Sequence, residues 1–465
     1  MFTGIHRLRF VWLIVFVAAA APALHAQPCE PEWDTTIGVP GMNYVVWSLT
    51  VFDDGTGPAL YAGGSFMHAG GAPASFIAKW DGSGWHEVGG GMSGTAVNVY
   101  ALTVFDDGAG PALYAAGIFE QAGGVIVNSI AKWDGTQWSD LAGGINDHGY
   151  PDLLALAVFD DGTGPALYAG GRFITIGGVM SRNIARWDGA QWSALGTGTA
   201  GGDGVHALAV FDDGTGPALY AAGSFAQVNG IPANNIAKWD GSTWSPVGAG
   251  LLESTPFAAA LTVFDDGTGP ALYVGGQFTL AGEQSANHIA KWDGTAWAPL
   301  LHNGDPDLNG VSDPVFALSV FNDGTGNGLY AGGTFTQAGG IGASHIAKWN
   351  GSQWSSLEVG VNQWVQALSP FDDGGGSDLY VGGWFTHAGG RPANYIATWT
   401  GCQPACPGDI DNDGDTDLSD LAALLAPYGS SVGDANYNPG ADFDDDGDVD
   451  LSDLAFLLAD YGCGV

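Results

Sequence analysis

An all-β fold, seven four-stranded units arranged as a propeller with a small helical domain behind them, is what this 465-residue sequence predicts. Three observations lead there. The composition is turn-rich and aromatic, with 77 glycines, 18 tryptophans and only 13% charged residues, which suits short strands and tight turns better than helices. A tryptophan in an IAKW-type context recurs at Trp80, Trp133, Trp187, Trp239, Trp292, Trp349 and Trp399, at intervals of 50 to 57 residues. Each interval holds four β-rich runs separated by Gly, Asp and Pro turns, the length and content of one blade.

The N-terminus comes first. Arg7 and Arg9 precede an apolar run from Phe10 to Ala21, and small residues lead to Ala26, so residues 1–26 read as a secretory signal. That run is short for a membrane span, and no other stretch is expected to cross a bilayer. The mature chain is therefore expected outside the cell, secreted or at the cell surface, where disulfides form. Cleavage takes two of the 11 basic residues and leaves nine against 49 acidic ones. Nucleic acid and anionic membrane surfaces are poor partners for such a field, and divalent cations are good ones.

One repeat runs from Ala101 to Leu141: strand A ends at Phe105, B is "ALYAAGIF", C is "SIAKW" and D is "QWSDL". The seventh repeat stops at "TWTGC", after strand C. A spare D-type strand stands near the other end, in "CEPEWDTTIG", with Trp33 in the place of Trp85 or Trp138. The N-terminal strand is expected to complete the last blade and cover its edge, so that the propeller spans 29–402. Fourteen of the 18 tryptophans fall at two repeat positions and are expected to pack neighbouring blades. Lys79, Lys132, Arg186, Lys238, Lys291 and Lys348 share one repeat position, which points to pairing with an aspartate of the "DDG" turn rather than to chemistry. The paired aspartates themselves read as turn caps.

The A–B turn, "FDDGTGPA", and the C–D turn, "WDG", are nearly constant and lie on one face. The B–C and D–A loops, on the opposite face, read as variable in length and content, and variable loops on a regular scaffold are where recognition is placed. Candidate ligand-binding residues there are Trp384, His387, Arg391 and Tyr395, with Arg172, Arg182, His206 and Trp364. Aromatic and polar groups in this mixture suit a sugar or a peptide.

The double glycine after strand B (Gly63-Gly64, Gly170-Gly171, Gly275-Gly276, Gly332-Gly333, Gly382-Gly383), an aromatic-Asp pair and a Trp opening strand D resemble the kelch repeat over about residues 29–402. Ala116 and Ala222 replace the first glycine in two units, and Trp stands where Tyr is usual. The "DDGTGPALYAGG" run also resembles integrin-type repeats, and either resemblance implies seven blades. Kelch-like propellers include copper oxidases with a cross-linked Tyr–Cys pair. Here Cys29, Cys402, Cys406 and Cys463 all lie at domain edges, the histidines lack metal-ligand spacing, and no catalytic residue is assigned.

From Cys406 to Val465 there are 15 acidic residues and no lysine or arginine. Asp409, Asp411, Asp413, Asp417 and Asp420 stand at positions 1, 3, 5, 9 and 12 of a loop, with Gly414 at 6 and Asp415 at 7. Asp442, Asp444, Asp446, Asp450 and Asp453 repeat the spacing, with Gly447 and Asp448. Alternating oxygen ligands, a glycine at the sharp turn and a backbone carbonyl at position 7 are the pattern of a calcium loop, so two Ca2+ ions are expected. Six carboxylates so close together repel one another without them. An apolar helix follows each loop, and Leu421, Leu424 and Leu425 are expected to pack on Leu454, Leu457 and Leu458.

Loop–helix pairs without an entering helix resemble type I dockerin modules over residues 406–463. The resemblance implies a cohesin-like partner engaged through loop positions 10 and 11, here Leu418-Ser419 and Leu451-Ser452, in either of two orientations because the pairs are identical. In the broken blade "TWTGC" faces "CEPEW", so a Cys29–Cys402 disulfide would restore the missing turn and Cys406–Cys463 would clasp the tail, one of three possible pairings. The sequence as a whole reads as a secreted, non-catalytic binding protein that recognises a glycan or protein ligand. The alternatives are a component of a polysaccharide-degrading enzyme system, suggested by the dockerin resemblance, and a structural cell-surface spacer.

Overall fold

The computed structural model describes residues 31–145, 147, 152–374, 376–401, 408, 410, 416–443 and 447–461. Nearly half of them are in strands. In the first repeat Val46–Asp53, Pro58–Gly64, Ile77–Trp80 and Trp85–Glu87 form one antiparallel sheet in that order. Its turns follow from their aspartates. Asp53 Oδ1 accepts the backbone N–H groups of Gly55 and Gly57 at 2.8 and 3.0 Å, and both glycines hold a positive φ that a Cβ would oppose.

The same four-stranded order recurs in sheets beginning at Asn98, Asp152, Gly204, Phe257 and Val315. A seventh sheet contains Val365–Asp372, Ser377–Gly383 and Ile396–Thr400, and its fourth strand is Glu32–Asp34, with Trp33 opposite Trp399. Strand A of each sheet packs against strand A of the next, and Val46–Asp53 packs against Val365–Asp372. The arrangement is propeller-like.

The core lies between sheets. Phe105, Tyr114 and Ala116 of sheet 2 share one buried cluster with Leu167, Trp187 and Trp192 of sheet 3. Except at Trp354, the tryptophan opening strand D ties neighbouring sheets polarly as well: Trp138 Nε1 donates to the Val88 carbonyl at 3.2 Å, and Trp192 Nε1 to that of Leu141 at 2.9 Å. Each buried aromatic of this kind stabilises by about 2 kcal/mol or more.

The double glycines have a steric cause. A Cβ on Gly63 would stand 2.5 Å from Val99 Cγ1 of the next sheet, and Gly170, Gly275, Gly332 and Gly382 meet Val205, Val315, Val365 and Val46 in the same way. Ala116 and Ala222 instead share clusters with Leu153 and Ala258, which lack the branch at Cβ. The two departures from the glycine pattern are therefore compensated across the sheet interface.

One expectation is corrected. The B–C connections do not vary in length: each spans as many residues as 65–76 in the first repeat and 384–395 in the last. Each carries a short hairpin, such as His68–Ala69 with Ala72–Pro73, turned by Gly70 and Gly71 at φ 59° and 81°. Positive φ at both central residues matches the strand twist, which holds the length constant while the side chains change. Only the D–A connections differ in length.

The repeated basic residues pair as expected, with N···O distances of 2.5–3.1 Å in six sheets. In sheet 1 Asp54 accepts from Lys79 Nζ at 2.7 Å, Tyr61 OH at 2.9 Å and Thr56 Oγ1 at 2.6 Å. Burial works to raise the Asp54 pKa, but these bonds outweigh it and hold the carboxyl at about 2. Sheet 7 has Thr398 opposite Tyr380, where sheet 1 has Lys79 opposite Tyr61.

In the tail, α1 (Leu418–Leu425) and α2 (Leu451–Asp460) each begin with a capping box, Asp417 with Asp420 and Asp450 with Asp453. Leu424, Ala441, Val449 and Leu457 form the buried core, with Leu421 and Leu454 packed against it. Leu425 and Leu458, expected to pack with them, are instead 51% and 54% exposed. Adjacent helical residues point about 100° apart, so only one of each leucine pair faces the partner helix. No helix among the described residues is long and apolar enough to cross a membrane.

Candidate functional site

The face bearing the B–C hairpins and D–A connections gathers aromatic side chains where sheet 1 meets sheet 7. Trp384 is the hub. Its ring lies 5.4 Å from Tyr44, 5.8 Å from Trp47 and 6.1 Å from Trp364, each edge to face. Tyr44 reaches Tyr395 at 6.0 Å, and Trp47 reaches Tyr100 at 5.6 Å. Polar bonds fix the inner members: Trp47 Nε1 donates to Ser65 Oγ at 2.7 Å, and Asn98 Nδ2 donates to Tyr100 OH at 3.0 Å. Tyr44 and Trp364 are each 44% exposed, so the cluster presents a rigid apolar surface to solvent.

Of the residues singled out from the sequence, Trp384, Tyr395 and Trp364 come together here. His387 and Arg391 do not join them. His387 sits on the hairpin beside Asn362, whose Oδ1 accepts its backbone N–H at 3.0 Å, and Arg391 turns outward to Glu32 at 3.4 Å. Both of that pair's side chains are more than half exposed, which makes it a weak surface contact. Arg172 pairs with Asp152 at 3.1 Å, His206 lines a cleft between sheets 4 and 5, and Arg182 is exposed on the sheet 3 hairpin connection.

Tyr44, Trp47 and Tyr100 escaped the sequence reading. Trp47 and Tyr100 sit at the bulge of strand A, where the register shifts next to an "AL" pair that reads Ser48-Leu49 in the first repeat. In the seven repeats that position reads Trp47, Tyr100, Leu154, His206, Ala259, Phe316 and Gln366, a variable residue inside a constant strand. That contrast was the available signal. Beyond the bulge lies a central cavity of about 230 Å3 lined by strand A of every sheet, with the repeated leucine of each, Leu49 to Leu368, and Leu154 besides.

The tail holds the other candidate site. Asp409, Asp411, Asp413, Asp415, Asp444 and Asp446 lie outside the described residues, as do all four cysteines. The described members are bound into the loop backbone. Asp442 at position 1 accepts the backbone N–H of Gly447, position 6, through Oδ2 at 3.1 Å, and also Tyr437 OH at 2.6 Å. Its Oδ1 is buried with no hydrogen-bond partner among the described residues. Asp453 at position 12 is 1% exposed and ties the loop start to the helix start, accepting from Phe443 N at 2.6 Å and Asp450 N at 2.8 Å. Asp420 makes the same two bonds, from Ile410 N and Asp417 N, in the first copy. Leu418 and Leu451 are 69% and 67% exposed, and Ser419 and Ser452 beside them are exposed too.

No family model matches the chain, and no curated protein does. Among solved structures, the extracellular domain of the two-component system BT4673 from B. thetaiotaomicron matches at 11% identity and a TM-score of 0.44, over 80% of this chain and 40% of that one. A second structure of the BT4673 extracellular domain matches at 10% identity and a TM-score of 0.46. YCF48 from Cyanidioschyzon merolae matches at 13% identity and a TM-score of 0.38, over 79% of this chain and 99% of that one. This chain spans about 40% of the BT4673 chains.

Proposed function

We propose that this is a secreted, non-catalytic binding protein: a closed, kelch-like, seven-bladed propeller that recognises a glycan or protein ligand, with a calcium-folded dockerin-like tail that docks to a cohesin-like partner. The observation that carries the reading is the aromatic cluster around Trp384. Preorganised aromatic faces flanked by hydroxyl and amide groups offer stacking area with little ordering cost, which suits the apolar face of a sugar ring or an exposed peptide side chain. Closure of the propeller is supported by Glu32–Asp34 pairing within the seventh sheet and by the packing of strand A in sheet 1 on that in sheet 7.

In the tail, Asp442, Asp448, Asp450 and Asp453 would hold one calcium ion with Asp444 and Asp446, and the equivalent residues from Asp409 to Asp420 the other. Calcium supplies the positive charge that lets the carboxylates gather, so binding and tail folding are coupled. The partner would meet the exposed Leu418-Ser419 and Leu451-Ser452 pairs.

A glycan and peptide array probed with the whole mature protein tests the first half. Any hit should lose at least about tenfold in affinity with Trp384→Ala or Trp364→Ala, and hardly change with Arg391→Ala. Unchanged binding in both tryptophan variants would reject the aromatic face as the site. Equilibrium dialysis tests the second half: two calcium ions per chain are expected, and one for Asp442→Ala. A chain that takes up none would reject the loops as calcium sites.

A further inference from the structure

A cleft of about 610 Å3 opens between sheets 4 and 5, on the face that carries the aromatic cluster. Its lining includes the carboxylates of Asp203 and Glu253 and no lysine or arginine. Glu253 Oε2 is buried and has no hydrogen-bond partner among the described residues. A buried carboxylate oxygen left in that state is destabilising unless something donates to it.

The surrounding groups do not neutralise it. His288 Nδ1 is also buried without a partner, and burial lowers the His288 pKa against the opposing pull of Glu253 and Asp313. Burial likewise lowers the pKa of His206, in the cleft wall, against Asp203. The neighbouring Arg172 is engaged with Asp152 at 3.1 Å. A metal ion is not an answer, since no three His, Cys, Asp or Glu side chains among the described residues converge as its coordination requires. The remaining polar lining is uncharged, with Ser224, Asn234, Thr255 and Gln277 around Phe257, which stacks on Phe316 at 6.4 Å.

We propose that this cleft is a binding site, separate from the aromatic cluster, for a primary ammonium group on a polar ligand, with Glu253 and Asp203 as its counter-charges. A compact ammonium with three donors can satisfy a buried oxygen and neighbouring hydroxyl or amide oxygens together, where a flat guanidinium needs an open carboxylate edge. Two sources share this chemistry, an amino sugar and a lysine side chain.

Calorimetric titration of the whole mature protein distinguishes them. The probes are glucosamine oligomers and their N-acetylated forms, and a lysine peptide with its acetyl-lysine counterpart. One or both free amines should bind, acetylation should weaken that binding by at least about tenfold, and Glu253→Gln should weaken it equally with its melting temperature retained. Asp203→Asn, on an exposed loop, provides the second variant should Glu253→Gln fail to fold, and should also weaken binding. Trp384→Ala should leave amine binding intact. Binding of the acetylated probes as tightly as the free amines, unchanged affinity in both carboxylate variants, or no binding of either amine at millimolar concentration would overturn the proposal.

Discussion

Six sheets set a lysine or arginine beside the aspartate that precedes the glycine of their A–B turn; the seventh sets Thr398 there and adds an acid, Asp378. In the six, the cation offsets that one carboxylate, which it shares with a tyrosine hydroxyl. In the seventh, among the described residues, Asp373 accepts the Tyr380 hydroxyl, at 2.8 Å, and a long bond from Trp80 Nε1 at 3.4 Å. Thr398 Oγ1 donates instead to the main-chain carbonyl of Asp34, on the strand borrowed from the N-terminus, at 3.2 Å. One position thus does different work in the two settings. Where the fourth strand follows directly in sequence, the position balances charge; where that strand must be recruited from far away, it helps hold it.

The largest effect should come from breaking the common arrangement. Lys348 and Asp323 form the most enclosed of the six pairs, with side chains 9% and 6% exposed. Lys348→Met leaves Asp323 buried without its cation and should cost about 3–5 kcal/mol in chemical denaturation. A cost below about 1 kcal/mol would mean that these clusters behave like surface pairs and that the comparison carries no energetic weight.

The exceptional sheet should respond in the opposite sense. Burial, reinforced by Asp373, Asp34 and Asp372, raises the Asp378 pKa to about 7. The folded chain therefore holds a proton between about pH 4 and pH 7 that the unfolded chain releases, so this group's contribution falls as pH rises through that window and stays unfavourable above it. Asp378→Ala, which restores the alanine found in sheet 1 at Ala59, should stabilise by about 1–3 kcal/mol at pH 8, with the gain vanishing towards pH 4. Denaturation midpoints measured at both pH values decide it, and a gain independent of pH would detach Asp378 from the account.

A smaller effect sharpens the contrast. Thr398→Lys gives sheet 7 the missing cation but removes the bond to Asp34. The net gain at pH 8 should be within about 1 kcal/mol. It should disappear in an Asp373→Asn background, as a double-mutant cycle would read.

The repeating parts of the molecule were legible because each is enforced seven times over. The tryptophan pairs, the aspartate turns and the cation beside them each have a local physical cause that leaves a mark at a fixed spacing. Even the late strand around Trp33 could be placed, since its absence from the last repeat matched its presence at the start. The aromatic cluster was only half legible. Trp384, Trp364 and Tyr395 stood out within one repeat, whereas Tyr44 and Trp47 approach them only because sheet 1 packs on sheet 7. Arg391 stands apart from the cluster, since its ion pair with Glu32 depends on the same long-range pairing. The cleft at Glu253 was not legible at all, because it arises between two sheets and has no motif of its own.

The pairing of Glu32–Asp34 with Ile396–Thr400 sets a rule of timing. The strand that leaves the ribosome among the first can be seated only when one of the last has been made. Until then Trp33, fully buried in the finished molecule, has no sheet to cover it. A chain truncated before residue 396 retains an uncapped sheet edge and a stranded aromatic, both marks by which quality-control machinery discards a protein. Completion of the seventh sheet thereby waits on synthesis as far as Thr400.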